Sequence, residues 1–295
     1  MESCTIKLYK YSSNFSYIKD YCANQVWTHP ICELNDPFEA KVVSHHPEPS
    51  VILSDPKLYE HYFKGMGQGE GSLSEIEFKK TLESPKFAEQ VKKSKFGDHP
   101  FLNYGVLSLT TDPQNILMWT YYANNHEGYC IEFELDFVKI QEISGLSDFS
   151  VKKYMQNFIE GKEILSLYTH NNEFALFGVN YSEELPLIKI EDLLKLPESY
   201  ERTKLILRNT VGTKFKDWAH EKEFRIVTKL NSNESGLLNL SRFVPFLRFK
   251  GIILGSRTKP QNKAIVTKLF NKDTFKYYRA NLVEGKYALS ITKYK

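Results

Sequence analysis

The sequence lacks most of the features that identify a protein class directly. Its 295 residues include only four cysteines, Cys4, Cys22, Cys32 and Cys130, and none of them forms a CxxC pair. A zinc site of the usual spacing is therefore not expected, and free thiols are typical of a cytoplasmic protein. No run of about 18 apolar residues is present, so we expect no membrane span.

The net charge is small, and we find no targeting signal. Lysine and arginine number 39 against 36 acidic residues, and a formal net charge of +3 gives no global reason to expect nucleic-acid binding. Residues 1–5 contain neither a basic stretch nor an apolar run, so we expect no signal peptide. The sequence thus predicts a cytoplasmic protein with no membrane partner.

The common catalytic and nucleotide-binding motifs are missing. There is no GxGxxG after a strand, no GxxxxGK[ST], no HExxH and no GxSxG. Residues 65–71 carry glycine at alternating positions, but no strand precedes them and no Lys-Ser/Thr follows, so we interpret them as a flexible connector. These absences exclude the enzyme classes that are easiest to recognise.

The sequence does contain many short segments of strand-like and helical periodicity. Residues 5–11, 104–111 and 129–135 alternate as strands do, whereas residues 200–217 have apolar side chains at helical spacing. No regular strand–helix–strand alternation appears. We therefore predict an α+β fold with a mostly antiparallel central sheet.

We expect one domain over residues 1–295. Residues 55–64 and 74–96 have helical patterns, and the region around them is the least regular of the chain. The sequence therefore predicts a helical insertion at about residues 44–100.

The strongest candidate for a functional site is a row of charged residues near position 223. If this segment is a strand, Glu221, Glu223 and Arg225 share one face, because successive side chains point to opposite faces. Two carboxylates and a guanidinium in one row indicate the centre of a site. The alternative is an exposed edge strand with an ion-pairing arginine.

Two further clusters carry polar and aromatic side chains, each with an ordinary structural alternative. Ser108 and Thr110 share a strand face, Trp119 and Tyr122 share a helix face, and His126 precedes a helix-ending glycine. Core packing and helix capping explain these positions equally well. The remaining cluster is the strand segment that contains Tyr9, Lys10 and Tyr11.

Acidic residues in the segment LNDPFE suggest a second kind of site. Asp36 and Glu39 fit a polar turn, but they would also reach inward. Together with Glu221 and Glu223 they would form a carboxylate cluster suited to Mg²⁺, as in a metal-dependent nuclease. A third possibility is a non-enzymatic module that senses a ligand or binds a partner through an aromatic pocket.

The order and spacing of several blocks resemble a bacterial family, domain of unknown function 2971. These blocks are LYKY near the start, LNDPFE, LSLT at 107–110, MWTYYA at 118–123 and WAHEKEFR at 218–225. More distantly, the sequence resembles the ADP-ribosyltransferase superfamily. Members of that superfamily have a basic residue on a first strand, Ser or Thr on a second and a glutamate on a later one. Lys10 stands where Arg or His would be expected.

The second resemblance implies a split-sheet fold and an NAD-dependent transferase. It assigns catalysis to Glu223 and Glu221, and NAD binding to Lys10, Tyr11, Ser108, Thr110, Trp119, Tyr122, His126 and Arg225. The acceptor would be a macromolecule, either nucleic acid or protein. The biological setting would be a bacterial toxin or antiphage defence effector, with a cognate antitoxin or regulator as a further partner.

Each assigned role has a chemical rationale. A carboxylate such as Glu223 stabilises the positive charge that develops when the nicotinamide bond breaks, and Glu221 would orient or deprotonate the acceptor. Arg225 would keep Glu223 ionised. Lys10 would bind the diphosphate, and an aromatic ring at position 119 or 122 would stack on a base.

The C-terminal part of the sequence is basic. We expect a solvated basic face there, and a nucleic-acid target becomes plausible if that face borders the pocket. The cations are Lys259, Lys263, Lys268, Lys272, Lys276, Arg279, Lys286, Lys293 and Lys295.

Overall fold

The structure is a computed structural model that describes residues 6–66, 74–85, 87, 104–147, 155–170, 172–197, 200–231, 239–269 and 275–294. The strands in these residues are β1 (Lys7–Ser12), β2 (Gln25–Trp27), β3 (His29–Pro30), β4 (Val43–His45), β5 (Tyr104–Thr110), β6 (Tyr129–Leu135), β7 (Leu165–Tyr168), β8 (Glu173–Gly178), β9 (Asn180–Ser182), β10 (Leu187–Lys189), β11 (Thr213–Phe215), β12 (Glu223–Lys229), β13 (Ser241–Phe243), β14 (Leu247–Leu254), β15 (Lys276–Leu282) and β16 (Leu289–Lys293).

Helices connect and cover these strands. The α-helices are α1 (Ile18–Cys22), α2 (Pro49–Ser54), α3 (Pro56–Met66), α4 (Glu75–Leu82), α5 (Ile116–Tyr122), α6 (Phe137–Ser144), α7 (Ile190–Lys195), α8 (Tyr200–Thr210) and α9 (Pro260–Leu269). Short 3₁₀ helices span Phe15–Tyr17, Ile31–Glu33 and Lys216–Glu221. None of the helices in the described residues is long and apolar enough to cross a membrane.

One large sheet organises the chain. Its order is β16-β15-β14-β6-β1-β5-β12-β8-β7, and β3 pairs with β5 beside this path. Within it β14 and β15 are parallel, and the other paired strands are antiparallel. The predicted α+β fold with a large, mostly antiparallel sheet is therefore confirmed.

The two faces of this sheet have different coverings. On one face Phe224 and Ile226 belong to a large apolar core, which α9 joins through Val266. We call the opposite face, which bears Tyr9, Thr110 and Glu223, the cavity face. There α5 and α8 pack on the strands through smaller apolar clusters. Alternation along each strand thus separates the apolar core from a face that carries charge.

The sheet forks between β1 and β5. These two central strands share the single residue pair Tyr9↔Thr110, whereas β5 pairs with β12 along seven residues. Nearer its N-terminus, β5 pairs with β3 instead, and His29 lies opposite Val106 there. A gap therefore opens between the two strands, beside Lys10 on one side and Ser108 on the other.

Helices α2, α3 and α4 lie within the region predicted as a helical insertion. Their buried residues form a separate apolar cluster that includes Ile52, Phe78 and Leu82 and is joined by Ile190 of α7. The glycine-rich connector predicted at 65–71 begins within α3, and its residues 67–71 lie outside the described residues, as do most of residues 86–103. The single domain with an insertion remains a prediction.

Two local predictions were wrong. The helix predicted to reach residue 217 ends at Thr210. At Gly212 a Cβ would lie 2.8 Å from the Arg208 carbonyl oxygen, and this close approach of the backbone suits a turn. Glu221 ends a 3₁₀ helix and does not lie on a strand with Glu223. Lys222 adopts a left-handed φ of 46° between them, so the strand begins only at Glu223.

Gly178 provides a test of the packing beside β12. A Cβ at this position would lie 2.0 Å from the carbonyl oxygen of Ile159, so Gly178→Ala forces backbone to move. We expect a loss of about 2–3 kcal/mol in the free energy of unfolding, measured by urea denaturation. Gly285→Ala is the control, because its Cβ meets nothing and its φ of 70° costs only about 1 kcal/mol. Equal losses in both variants would contradict this packing.

Candidate active site at the fork of the sheet

A cavity of about 260 Å³ occupies the fork. Strands β1, β5 and β12 form its floor, and side chains from four other segments form its walls. The lining comprises Tyr9, Lys10, Tyr11, His29, Glu33, Leu34, Asn35, Glu39, Ser108, Leu109, Met118, Tyr122, Lys214, Glu221, Glu223 and Arg225. Acidic, basic, hydroxyl and aromatic groups thus meet at one place.

The guanidinium of Arg225 is the most highly bonded group in the cavity. It donates to both carboxylate oxygens of Glu223 at 2.8 and 2.9 Å and to both of Glu39 at 2.9 and 2.6 Å. A further bond of 2.6 Å goes to the carbonyl oxygen of Val211. Every N–H direction of this 1% exposed side chain is therefore used, and Arg225 has no donor left for a ligand.

The carboxylate of Glu221 is held by two different donors. Lys214 Nζ donates to one oxygen at 2.8 Å, and the Tyr122 hydroxyl donates to the other at 2.6 Å. Asn35 in turn donates to the Tyr122 hydroxyl at 2.9 Å. Each carboxylate oxygen can accept a second hydrogen bond, so Glu221 retains capacity for a ligand.

Lys214 links the three carboxylates. Its Nζ lies 3.7 Å from both Glu39 and Glu223, and 4.6 Å from the centre of the Trp218 ring. The ammonium is almost fully buried, so these contacts replace its hydration. The position of this lysine on β11, close to the cavity, was not anticipated from the sequence.

The environment of Glu223 fixes its protonation. Burial alone would raise the pKa of this carboxyl, but the charge and hydrogen bonds of Arg225 oppose burial and prevail, with further help from Lys214 and Ser108. The resulting pKa is about 2. Glu223 is therefore a carboxylate at any physiological pH.

Lys10 differs from the other two cations of the cavity. Among the described residues, no carboxylate makes an ion pair with Lys10 and no acceptor takes a hydrogen bond from it. Burial lowers the pKa of its ammonium, and the charges of Glu223 and Glu221 partly offset this. The lining of the fork therefore contains four carboxylates (Glu33, Glu39, Glu221 and Glu223) and three cations, one of which has no direct partner.

A family comparison covers this part of the chain. The family described as "Protein of unknown function (DUF2971)" matches residues 118–226. The family prediction is confirmed. Neither a curated protein nor a solved structure matches the chain. The DUF2971 range contributes Tyr122, Lys214, Glu221, Glu223 and Arg225 to the cavity, whereas β1 and β5 precede it.

Most of the residues predicted to act on NAD line the cavity at the fork. They are Lys10, Tyr11, Ser108, Tyr122, Glu221, Glu223 and Arg225. The hydroxyl of Tyr11 is already used, because it donates to the Asp112 carbonyl oxygen at 2.8 Å. Tyr11 therefore presents its ring rather than a free hydroxyl.

Three predicted ligand contacts lie outside the cavity lining. The Thr110 hydroxyl donates to the Glu221 carbonyl oxygen at 2.6 Å, so it supports the backbone below the site. Trp119 is fully buried, and its indole N–H donates to the Pro113 carbonyl oxygen at 2.9 Å. The ring of His126 stacks on the ring of Trp119, with the two centroids 6.1 Å apart. The structural alternatives account for these three residues.

The acidic cluster proposed for Mg²⁺ converges only in part. Glu39, Glu221 and Glu223 meet in the cavity, but Arg225 and Lys214 already bond to their oxygens. Asp36 is not part of the lining, and one of its oxygens accepts the Phe38 amide in a turn. In the part of the chain that the structure describes, no three His, Cys, Asp or Glu side chains could hold a metal ion.

A second cavity adjoins the first. Its volume is about 250 Å³, and Lys214 lines both cavities. The other walls include Phe38, Leu185, Pro186 and Phe215. Most of the surface that lines this cavity is apolar, although Lys41, Glu183 and Glu184 also contribute, so the cavity suits a largely apolar group.

The low pKa of Glu223 predicts how stability depends on pH. Unfolding raises this pKa from about 2 to about 4.3, so the folded state gains about 3 kcal/mol above pH 5 and loses it as the pH falls towards 2. Glu223→Gln should therefore lower the free energy of unfolding by about 3 kcal/mol at pH 7. The difference between the two proteins should vanish near pH 2, because the wild-type carboxyl is then protonated.

Urea denaturation between pH 7 and pH 3 measures this difference. Glu183→Gln is the matched control, since Glu183 is an exposed partner of Lys216 and should change stability by less than about 1 kcal/mol. A deficit in Glu223→Gln that stays constant across the pH range would show that the Glu223 charge does not stabilise the fold.

Proposed function

We propose that the cavity is the active site of an NAD-dependent ADP-ribosyltransferase that acts on a macromolecular acceptor. The supporting observation is the convergence of Glu223, Glu221 and Lys10 at the fork of the sheet. Glu221 and Glu223 lie two positions apart, and Lys10 comes from the distant strand β1, so two separate segments supply a fixed carboxylate, a second carboxylate and a cation in one cavity. A split-sheet arrangement related to ADP-ribosyltransferases is part of this proposal.

Glu223 is suited to stabilise positive charge. Its carboxylate is ionised and held in place by Arg225, so little reorganisation is needed when charge develops nearby. Breaking the bond between ribose C1′ and nicotinamide produces an oxocarbenium-like centre, and the bonding electrons leave with nicotinamide. Glu223 would oppose that positive charge and accept a hydrogen bond from a ribose hydroxyl.

Glu221 would serve the second half of the reaction. The acceptor's nucleophile forms the new bond to C1′ and must lose its proton. Glu221 is the better receiver of that proton, because Lys214 and Tyr122 each occupy only one lone pair of its oxygens. Lys214 would keep the charge of this pair balanced while the proton is transferred.

Lys10 would attract the diphosphate. Its ammonium has no direct ion pair among the described residues, so binding a phosphate there displaces no existing partner. A cavity of about 260 Å³ falls just below the range of about 300–1,000 Å³ for ligand pockets. It would therefore hold the nicotinamide ribose end, with the rest of NAD extending outwards.

The family resemblance adds a biological setting. A bacterial toxin or antiphage defence effector in the cytoplasm would use this activity to modify nucleic acid or protein. A cognate antitoxin or regulator would then restrain it. This biological setting is proposed from the resemblance alone.

Glu223→Gln is the direct test of transfer. We expect the variant to transfer labelled ADP-ribose from NAD to a bacterial lysate at least about a hundredfold more slowly than the wild type, because a neutral amide does not stabilise the developing charge. Glu183→Gln should retain full transfer. The assay is run below the unfolding temperature of each protein, checked by circular dichroism. If the wild type neither transfers ADP-ribose nor releases nicotinamide, the proposal fails.

Lys10 permits a test that does not disturb the ion pairs. Lys10→Met should weaken NAD binding about tenfold, because a phosphate loses its point charge, while the unfolding temperature stays the same or rises. Wild-type affinity should fall as the pH rises through the lowered pKa of Lys10, and Lys10→Arg should not show this fall. Calorimetric titration with NAD between pH 7 and pH 10 measures both effects.

The control for this series is Lys7→Met. Lys7 lies on the same strand, and its partner is Glu132 on β6 rather than a residue of the cavity. If Lys7→Met and Lys10→Met weaken NAD binding equally, Lys10 does not bind the diphosphate.

One observation favours a second candidate, a ligand-binding module without catalysis. Glu221 and Glu223 already form ion pairs with Lys214 and Arg225, and a largely apolar cavity of about 250 Å³ adjoins the cavity at the fork. Such a rigid, ion-paired site suits recognition as well as chemistry. Binding of NAD without any release of nicotinamide would support this candidate over the transferase.

A further inference from the structure

The formal charge of the chain is distributed very unevenly. Residues 241–295 contain thirteen Lys and Arg residues and two acidic ones, so they contribute +11 to the formal charge. The rest of the chain contributes −8, which explains the small total of +3. A segment this basic is an electrostatic match for a polyanion.

The sheet places part of this basic segment in line with the active site. Strand register carries one continuous row of residues across the cavity face from the outer strand β15 to β12. At the usual strand spacing of about 4.8 Å, the five steps of this row span roughly 24 Å. In order, the row is Lys276, Gly251, Glu132, Tyr9, Thr110 and Glu223.

The outer end of this face has cations in excess. Each acid of β6 and of the residue after it is matched by one cation, in the pairs Lys7–Glu132, Lys250–Glu134 and Arg248–Asp136. Lys276 and Lys293 are exposed, and neither forms an ion pair within the described residues.

Lys293 shares the cavity face with these residues. It lies directly opposite Tyr278, which is two positions from Lys276 and packs towards the apolar cluster under α5. The partly exposed Tyr278 thus has Lys293 directly across the sheet and Lys276 two positions along its own strand as neighbours on the same face. Cations interleaved with an aromatic ring are typical of surfaces that bind a single nucleic-acid strand.

We propose that this part of the cavity face, defined by Lys276, Tyr278 and Lys293, docks a single-stranded nucleic acid at the outer end of the sheet that carries Glu223. The proposal rests on the proposed transferase activity for its purpose, since it names nucleic acid as the acceptor. Phosphodiester groups pair with the two lysines, and a base stacks on Tyr278. An acidic peptide would satisfy the lysines but would gain nothing from the ring.

Binding is measured without NAD, so that it does not depend on catalysis. The probes are fluorescein-labelled 12-nucleotide single strands of DNA and of RNA, titrated with the full chain at about 50 mM salt and followed by anisotropy. The Lys276→Glu/Lys293→Glu double variant should raise the Kd by about tenfold or more, and the salt dependence of log K should become shallower by at least one unit.

The matched control is the Lys263→Glu/Lys268→Glu double variant. It changes the net charge by the same amount, but both residues lie on α9, which packs against the opposite face through Val266. Its Kd should stay within about twofold of the wild type. Equal weakening in both variants, or equal binding of a labelled polyglutamate peptide by the wild type, would overturn the proposal.

A second readout separates this surface from the proposed reaction. The Lys276→Glu/Lys293→Glu variant should release nicotinamide from NAD at the wild-type rate but lose transfer to the oligonucleotide. Strand binding that depends on the two lysines, without any NAD turnover by the wild type, would leave the surface standing and the transferase overturned. NAD turnover without strand binding would leave the transferase standing and the surface overturned.

Discussion

The guanidinium of Arg225 joins parts of the chain that lie far apart in sequence. It donates to Glu223 on its own strand, to Glu39, which is 186 positions away, and to the Val211 carbonyl oxygen as a third partner. Such a group tolerates burial only while all its donors are satisfied, and removing one partner of a buried pair typically costs about 3–5 kcal/mol. The loop around Glu39 and the end of α8 are therefore tied to β12 by one side chain.

This constraint explains why the cavity is open at the fork. A sheet that continued to pair β1 with β5 would close the gap beside Ser108. Instead the segment around Glu39 and β11 pack over the cavity face, and their charges need partners on the floor below. The ion pairs supply these partners, and the remaining space stays polar. The charges of the site therefore also hold together the segments that enclose it.

The sequence predicted the floor of the site better than its walls. Alternation is local, so it placed Glu223 and Arg225 on one strand face and identified β1 and β5 correctly. It could not reveal Lys214, because residues 200–217 have apolar side chains at helical spacing, whereas the chain leaves the helix after Thr210. Nor does any local pattern encode the bond between Arg225 and Glu39, which arises only from packing.

The three cations of the cavity differ in how far they are committed to carboxylates. Arg225 and Lys214 are committed to carboxylates, so a ligand that used them would leave a buried charge unpaired. Lys10 lacks such a commitment, and burial makes its charge costly in the absence of a partner. An anionic group bound at Lys10 would therefore offset the free-energy cost of burying an unpaired ammonium. In the proposed site, Lys10 would therefore contribute charge to ligand binding, whereas the paired glutamates would provide fixed geometry.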